Sequence, residues 1–290
     1  PDAACRFRRL KRKVIRLDKE NQAMSTADDA PKAEMLDPPM LDPHQDPASL
    51  TAFAAYEQRL LAARRRFAES RFVTDVIGRK LDDARFEAFL MFFTALGVQM
   101  TRPVDSWIRR AGERCIAVGF TELGHALVKH AVHEAGHDAL FEQDARSLVK
   151  RWNAKDSRHI DAAHLLTLPA TAGVARYVQL HEETIAGPSP FAQIAIEYEI
   201  EQLSVTWGPH FIRTCAAVLG PDVSTCLTFV HDHVALDVGH TQFNRTQLGR
   251  FLTAHPASLA ALAAAGAAAL DAYGGYLSDC LELAAQRAYS

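Results

Sequence analysis

Paired cysteines are what this 290-residue chain most plainly lacks. Its five, Cys5, Cys115, Cys215, Cys226 and Cys280, are scattered, odd in number and nowhere in C-x-x-C spacing. That argues against a disulfide framework or a cysteine-built zinc ribbon, and it fits free thiols in a reducing cytoplasm. Alternating apolar and polar runs of the kind that mark half-buried strands are also missing, which argues against a sheet. The longest apolar run, LAALAAAGAAAL at 259–270, is too short and too rich in alanine for a membrane span. No apolar stretch follows the N-terminal arginines as a secretory signal requires, and no repeat of about 20–50 residues stands out.

What is present is the mixture of a soluble globular chain with a sizeable core: 48% hydrophobic and 23% charged residues. Residues 1–23 carry eight Lys or Arg against three acids. An exposed charged tail accounts for this as well as a nucleic-acid or membrane arm does, and Met24 fits a translation start, so the segment receives no functional weight. Residues 25–48 hold Pro31, Pro38, Pro39, Pro43 and Pro47 among several Asp, a composition that reads as a disordered lead-in. The expected division is a tail over 1–48 and one helical domain over 49–290.

Within that domain apolar residues recur at intervals of three and four, as in Phe86, Phe89, Leu90 and Phe93. The pattern predicts helices over 49–70, 72–97, 106–152 with an internal kink or break, 160–167, 171–186, 190–217, 221–243, 245–254 and 256–287. Breaks are expected at Pro103, Pro169, Gly187-Pro188, Gly208-Pro209, Gly220-Pro221 and Pro256. The fold class is therefore an all-α bundle.

Polar side chains that interrupt the apolar pattern mark the chemistry. HEAGHDALFEQD, residues 133–144, opens on H-E-x-x-H, the spacing that gives a zinc metalloprotease two ligands one turn apart and a general base between them. Such enzymes set this helix against a sheet, which the pattern does not provide. In HDHVALDVGH, residues 231–240, His233, Asp237 and His240 fall within about 60° of one helix face. His130, Glu134 and His137 share a similar arc, with His133 at its margin. A third helix carries Glu197 and Glu201 beside the small residues Ser204, Val205 and Gly208. A lone histidine on a helix is more often hydrogen-bonded core or surface, and His125, His181, His231 and His255 are read that way; Glu199 and Glu182-Glu183 are read as solvent-facing. Two imidazoles and a carboxylate on one face are different, because burying them together is costly unless they are paired or coordinated. Carboxylates and histidines projecting inward from several helices are how bundles hold a pair of iron or manganese ions.

Three of these segments together resemble the haem-oxygenase-like di-iron oxidases, the iron-containing redox enzymes. The resemblance rests on Glu134 and His137 in E-A-G-H, Glu201 ahead of a G-P pair, and His233, Asp237 and His240 in H-x-x-x-D-x-x-H, and it covers roughly residues 70–255. It implies a haem-oxygenase-like bundle of about seven core helices. The implied ligands to two Fe(II) ions are Glu134, His137, Glu201, His233, Asp237 and His240, with Glu197 as the alternative carboxylate on the second helix. His130 stands where some members add a carboxylate, and Glu122 lies further off. O2 is the implied co-substrate. The implied reaction is N-oxygenation or oxidative C–C cleavage of a small molecule in secondary metabolism, an amino acid or derived amine before a fatty acid. Arg102, Arg109 and Arg176 are candidate partners for a substrate carboxylate, although each reads more readily as a surface arginine. No nucleic-acid or membrane partner is expected, and a homodimer is compatible with this reading. The rivals are a thiaminase-like hydrolase with Cys215 or Cys226 as nucleophile, the H-E-x-x-H zinc metalloprotease, and a bundle that binds metal without catalysis.

Overall fold

The stripe of Phe86, Phe89, Leu90 and Phe93 lies at the centre of a helix, Asp83–Thr101, whose residues from Phe86 to Val98 are all buried. A computed structural model describes residues 46–155 and 159–288, and among these it contains ten α-helices and no β-strand. They are α1 (Pro47–Ala68), α2 (Asp83–Thr101), α3 (Val104–Ala117), α4 (Thr121–Glu134), α5 (Asp138–Asn153), α6 (Ala162–Leu166), α7 (Ala172–Ala186), α8 (Gln193–Leu219), α9 (Thr228–Ala254) and α10 (Leu259–Ala288). The expected tail lies outside the described residues up to residue 45, and α1 begins two residues before the expected domain start.

Helix α10 packs on α1, α2, α7 and α8, while α8 lies along α9, α3 along α4, and α2 along α5. By length and composition α10 is apolar enough to cross a membrane. The expectation drawn from residues 259–270 stopped short, because Tyr273, Tyr276, Leu277 and Cys280 extend the apolar stretch. Here that stretch supplies a core stripe, with Leu262, Leu270, Tyr276, Leu277, Cys280 and Leu281 all buried.

Several boundaries differ from the sequence reading, each for a local reason. The helix expected over 72–97 is divided: a π-helical turn spans Phe72–Ile77, and α2 starts afresh where the Asp82 carboxylate accepts a hydrogen bond from the Arg85 N–H at 2.9 Å. The expected break at Gly208-Pro209 is absent, since α8 runs through Pro209. Gly208 serves another purpose there: a Cβ at this position would come within 2.3 Å of Val234 Cγ2, so glycine lets α8 approach α9. The helices expected over 221–243 and 245–254 are one helix, α9, preceded by a 3-10 turn at Pro221–Cys226. Its first turn is capped from elsewhere. The buried Asp144 carboxylate on α5 accepts from the N–H groups of Thr228 and Phe229, both at 2.9 Å, and from the Thr228 hydroxyl at 2.6 Å. Glu199, expected to face solvent, is buried and accepts from Tyr56 and Arg64 of α1 at 2.8–2.9 Å.

Candidate metal centre

The site forms where α4, α8 and α9 meet around the start of α5, and its geometry begins with an interruption. Helix α4 ends at Glu134, Ala135 is extended, and Gly136 takes a φ of 88° that favours glycine. His137 therefore lies beyond the end of the helix, and the expected single arc of His130, Glu134 and His137 does not exist as one helix face. The elbow brings the same atoms together by another route, with His137 Nδ1 at 3.0 Å from Glu134 Oε2.

Two donor groups result, and they share one residue. His130, Glu134, Glu201 and His240 offer ligand atoms within 4.8 Å of one another, as do Glu134, His137 and His233. In the first group His130 Nε2 lies 3.0 Å from Glu201 Oε1, and His240 Nδ1 lies 3.1 Å from Glu134 Oε1. Glu134 Oε1 and His240 Nδ1 are buried and make no aligned hydrogen bond despite that approach. Imidazole nitrogens and carboxylate oxygens drawn this close from three helices form a donor set that suits Fe, Mn or Zn. In the second group the Nδ1–H of His233 donates to the Phe229 carbonyl at 2.9 Å, which leaves the Nε2 lone pair of the neutral ring free to bind metal.

Asp237 and Glu197 lie outside both groups but border the same cavity. Asp237 is buried, with Oδ1 at 3.4 Å from His240 Nδ1. Glu197 is buried and accepts a short hydrogen bond from Gln193, 2.5 Å long. His133, the first letter of H-E-x-x-H, is exposed and belongs to neither group. Sequence reasoning missed Asn244, whose amide donates to Glu201 Oε2 at 2.6 Å, and Gln193, which also bonds His181 Nδ1 at 2.8 Å. Both were within reach of the spacing argument: Asn244 is four residues after His240, and Gln193 four before Glu197. His181, read as unremarkable, is fully buried and stacked on Trp107 at 4.0 Å.

Charge in this cluster is unbalanced. Glu134, Glu197, Glu201 and Asp237 are all buried, and among the described residues no Lys or Arg borders the cavity they face. Burial, with Glu134 and Asp237 nearby, pushes Glu201 well above the usual carboxylate range. Burial and the neighbouring Glu201 raise Glu197 to about 8. Glu134 behaves oppositely: against the penalty of burial, the adjoining His137 and His240 hold it below its usual range. His240 is raised to about 10 by Asp237 and Glu134. Protons thus compensate surplus carboxylate charge, and a cation entering the cluster competes with them.

The cavity beside the cluster measures about 130 Å³ and is bordered by Glu134, His137 and His233 on one side and by aromatic side chains on the others. The remaining sequence candidates lie away from it. Arg102, Arg109 and Arg176 pair with Asp138, Asp105 and Glu183 on the surface. Cys215 and Cys226 are buried, burial pushes both thiols up, and neither borders the cavity.

Comparison with known proteins establishes the fold and little more. A solved structure of a domain of unknown function with a heme oxygenase-like fold, from Shewanella denitrificans os217, matches with a TM-score of 0.57 at 14% identity, over 80% of this chain and 90% of that one. No protein-family model matches the sequence, and no curated protein does either. The chain is an all-α protein with a heme oxygenase-like fold and a buried His/Glu cluster suited to metal.

Proposed function

We propose that this chain is a non-haem di-iron oxidase that uses O2 to oxidise a small molecule held in the cavity. One observation carries the reading: two donor groups share Glu134, and the group of Glu134, His137 and His233 borders a largely apolar cavity. A carboxylate common to two sites is suited to bridge two cations, and a single structural zinc ion needs no second group. Bound there, two Fe(II) ions would supply the electrons for O2 reduction.

The chain's own residues supply the rest. Asn244 fixes one oxygen of Glu201 and leaves the other toward His130. The Phe229 carbonyl sets the His233 tautomer, and Gln193 holds Glu197 Oε1. With Oε1 held by Gln193 and the group raised to about 8, Oε2 is the oxygen of Glu197 left to carry its proton at neutral pH. The aromatic walls lower the local polarity and so strengthen electrostatic contacts at the cluster. N-oxygenation or oxidative C–C cleavage in secondary metabolism is the class of outcome we propose, in the cytoplasm. The buried, unactivated thiols give the hydrolase no nucleophile, and exposed His133 takes no part in the cluster, which weakens the protease reading.

The test is anaerobic titration with Fe(II), followed by exposure to O2 with candidate substrates. The expected result is close to two irons per chain and O2 consumption that rises when a substrate is present. Tight uptake of one zinc ion with peptidase activity, or two irons that never consume O2, would overturn the reading.

A further inference from the structure

The cavity wall is almost wholly aromatic and aliphatic away from the cluster, with Phe67, Phe72, Phe93, Phe211, Trp207 and Tyr273 among its rings. Its ionisable groups, the acids with the imidazoles His137 and His233, lie on the cluster side alone, and among the described residues no Lys or Arg reaches it. A carboxylate brought into such a space loses its hydration and finds no Lys or Arg, while His137 is already engaged by Glu134 at 3.0 Å, so the cost is several kcal/mol by the usual scale for unpaired buried charge. Two divalent cations would first displace the protons of Glu197 and Glu201 and then be matched by the four carboxylates of that wall, Glu134, Glu197, Glu201 and Asp237, before a ligand carboxylate arrived. Size narrows the ligand further. About 130 Å³ is close to the volume at which an apolar protein cavity accepts a benzene ring.

From this we infer that the cavity binds a small, uncharged, single-ring molecule without a carboxylate. Such a ligand offers ring faces and edges to the aromatic walls and its short substituent to the cluster. This sets aside the amino acid and the fatty acid as bound ligands, since each brings a carboxylate that nothing in the cavity pairs. Calling the ligand a substrate rests on the oxidase reading; its chemical class rests on the cavity wall.

Ethylbenzene and phenylacetate test the class, because they match in shape and differ in charge. Their binding to the full chain is measured by calorimetry and by the fluorescence of Trp207, before and after loading with Zn(II) as a redox-silent ion. Ethylbenzene is expected to bind at least about tenfold more tightly in both states, a difference of ~1.4 kcal/mol. Ser204→Phe, which fills the cavity from α8, should weaken ethylbenzene by about tenfold or more. Thr101→Arg, which places a cation on the wall from α2, should instead improve phenylacetate. Equal or tighter binding of phenylacetate to the unaltered chain overturns the inference. So does ethylbenzene binding that Ser204→Phe leaves unchanged. Neither result touches iron uptake, whereas failure to take up iron sinks the oxidase reading and leaves ethylbenzene binding as it was.

Discussion

Glu134 Oε1 and His240 Nδ1 stand 3.1 Å apart across the contact between α4 and α9, both buried and neither in an aligned hydrogen bond. Without metal the two are held as an ion pair, His240 being raised to about 10 by Asp237 and Glu134, and a cation must compete with that proton. The consequence is a specific asymmetry among ligand variants. Because Glu134 belongs to both donor groups, Glu134→Gln should reduce iron content from about two to well below one, whereas His233→Ala, which touches only one group, should leave about one. Anaerobic loading followed by elemental analysis reads both numbers, and equal losses from the two variants would refute the shared-ligand geometry.

Metal affinity should rise with pH. Burial and the neighbouring carboxylates raise Glu197 to about 8 and hold Glu201 well above its usual range, so at neutral pH a cation must displace protons. Chelator competition between pH 6 and 8.5 should show tighter binding at the alkaline end, with proton release detectable by calorimetry in buffers of different ionisation enthalpy. A flat profile would show that these carboxylates do not respond to the ion.

Stability of the metal-free chain should carry the signature of the same group. Folded Glu197 keeps its proton to about 8, while an unfolded glutamate loses it near 4.3. The native state therefore binds more protons across that window, and its contribution to stability is present at low pH and lost as pH rises toward 8. Glu197→Gln keeps the Gln193 contact without titrating. Relative to the unaltered chain it should gain up to a few kcal/mol between pH 4.5 and 8, as read by denaturant midpoints.

His181 should act in the opposite sense. Burial lowers it to about 3, against the hydrogen bond from Gln193. The unfolded chain takes up a proton near 6.5 that the folded chain refuses, so stability is full above that value and falls as pH drops toward 3. His181→Phe keeps the stacking on Trp107 and should flatten the acid limb of the profile. An unchanged acid limb would mean that His181 does not titrate on unfolding as argued.

Asp144 should matter as much as a ligand although it touches none. It alone caps the N–H groups of Thr228 and Phe229, and it thereby fixes where α9 begins. Asp144→Ala removes that cap from half-buried donors and should cost on the order of 1–2 kcal/mol. Thermal melting checks the stability, and metal content checks the alignment of His233 and His240; no change in either would show the cap to be dispensable.

How much of this was legible in the sequence depended on whether local spacing or distant contact decided the matter. The helical class followed from spacing alone, since the Phe86 to Phe93 stripe needs only the 3.6-residue period. The face of His233, Asp237 and His240 was legible for the same reason, because α9 is continuous there. Glu134 and His137 meet at 3.0 Å by a route that spacing did not foresee, as Gly136 ends the helix between them. Glu199 was misread because its partner, Arg64, lies 135 residues away, and no pattern around Glu199 announces it. Pro209 was misread because packing of α8 tolerates a missing hydrogen bond that propensity counts as a stop. The aromatic cavity could not be read at all, since its rings come from helices far apart in sequence.

The elbow at Gly136 has an evolutionary consequence. Between His233 and His240 the donors are phased by a helix, so one inserted residue turns the later ones by about 100° and removes them from the centre. Between Glu134 and His137 the spacing is a loop length, and an extra residue there can be absorbed without rotating either α4 or α5. Descendants of such a chain are free to drift in the first interval and are held to the letter in the second. A sequence search that demands two residues between the glutamate and the histidine would pass over relatives whose centres are built the same way.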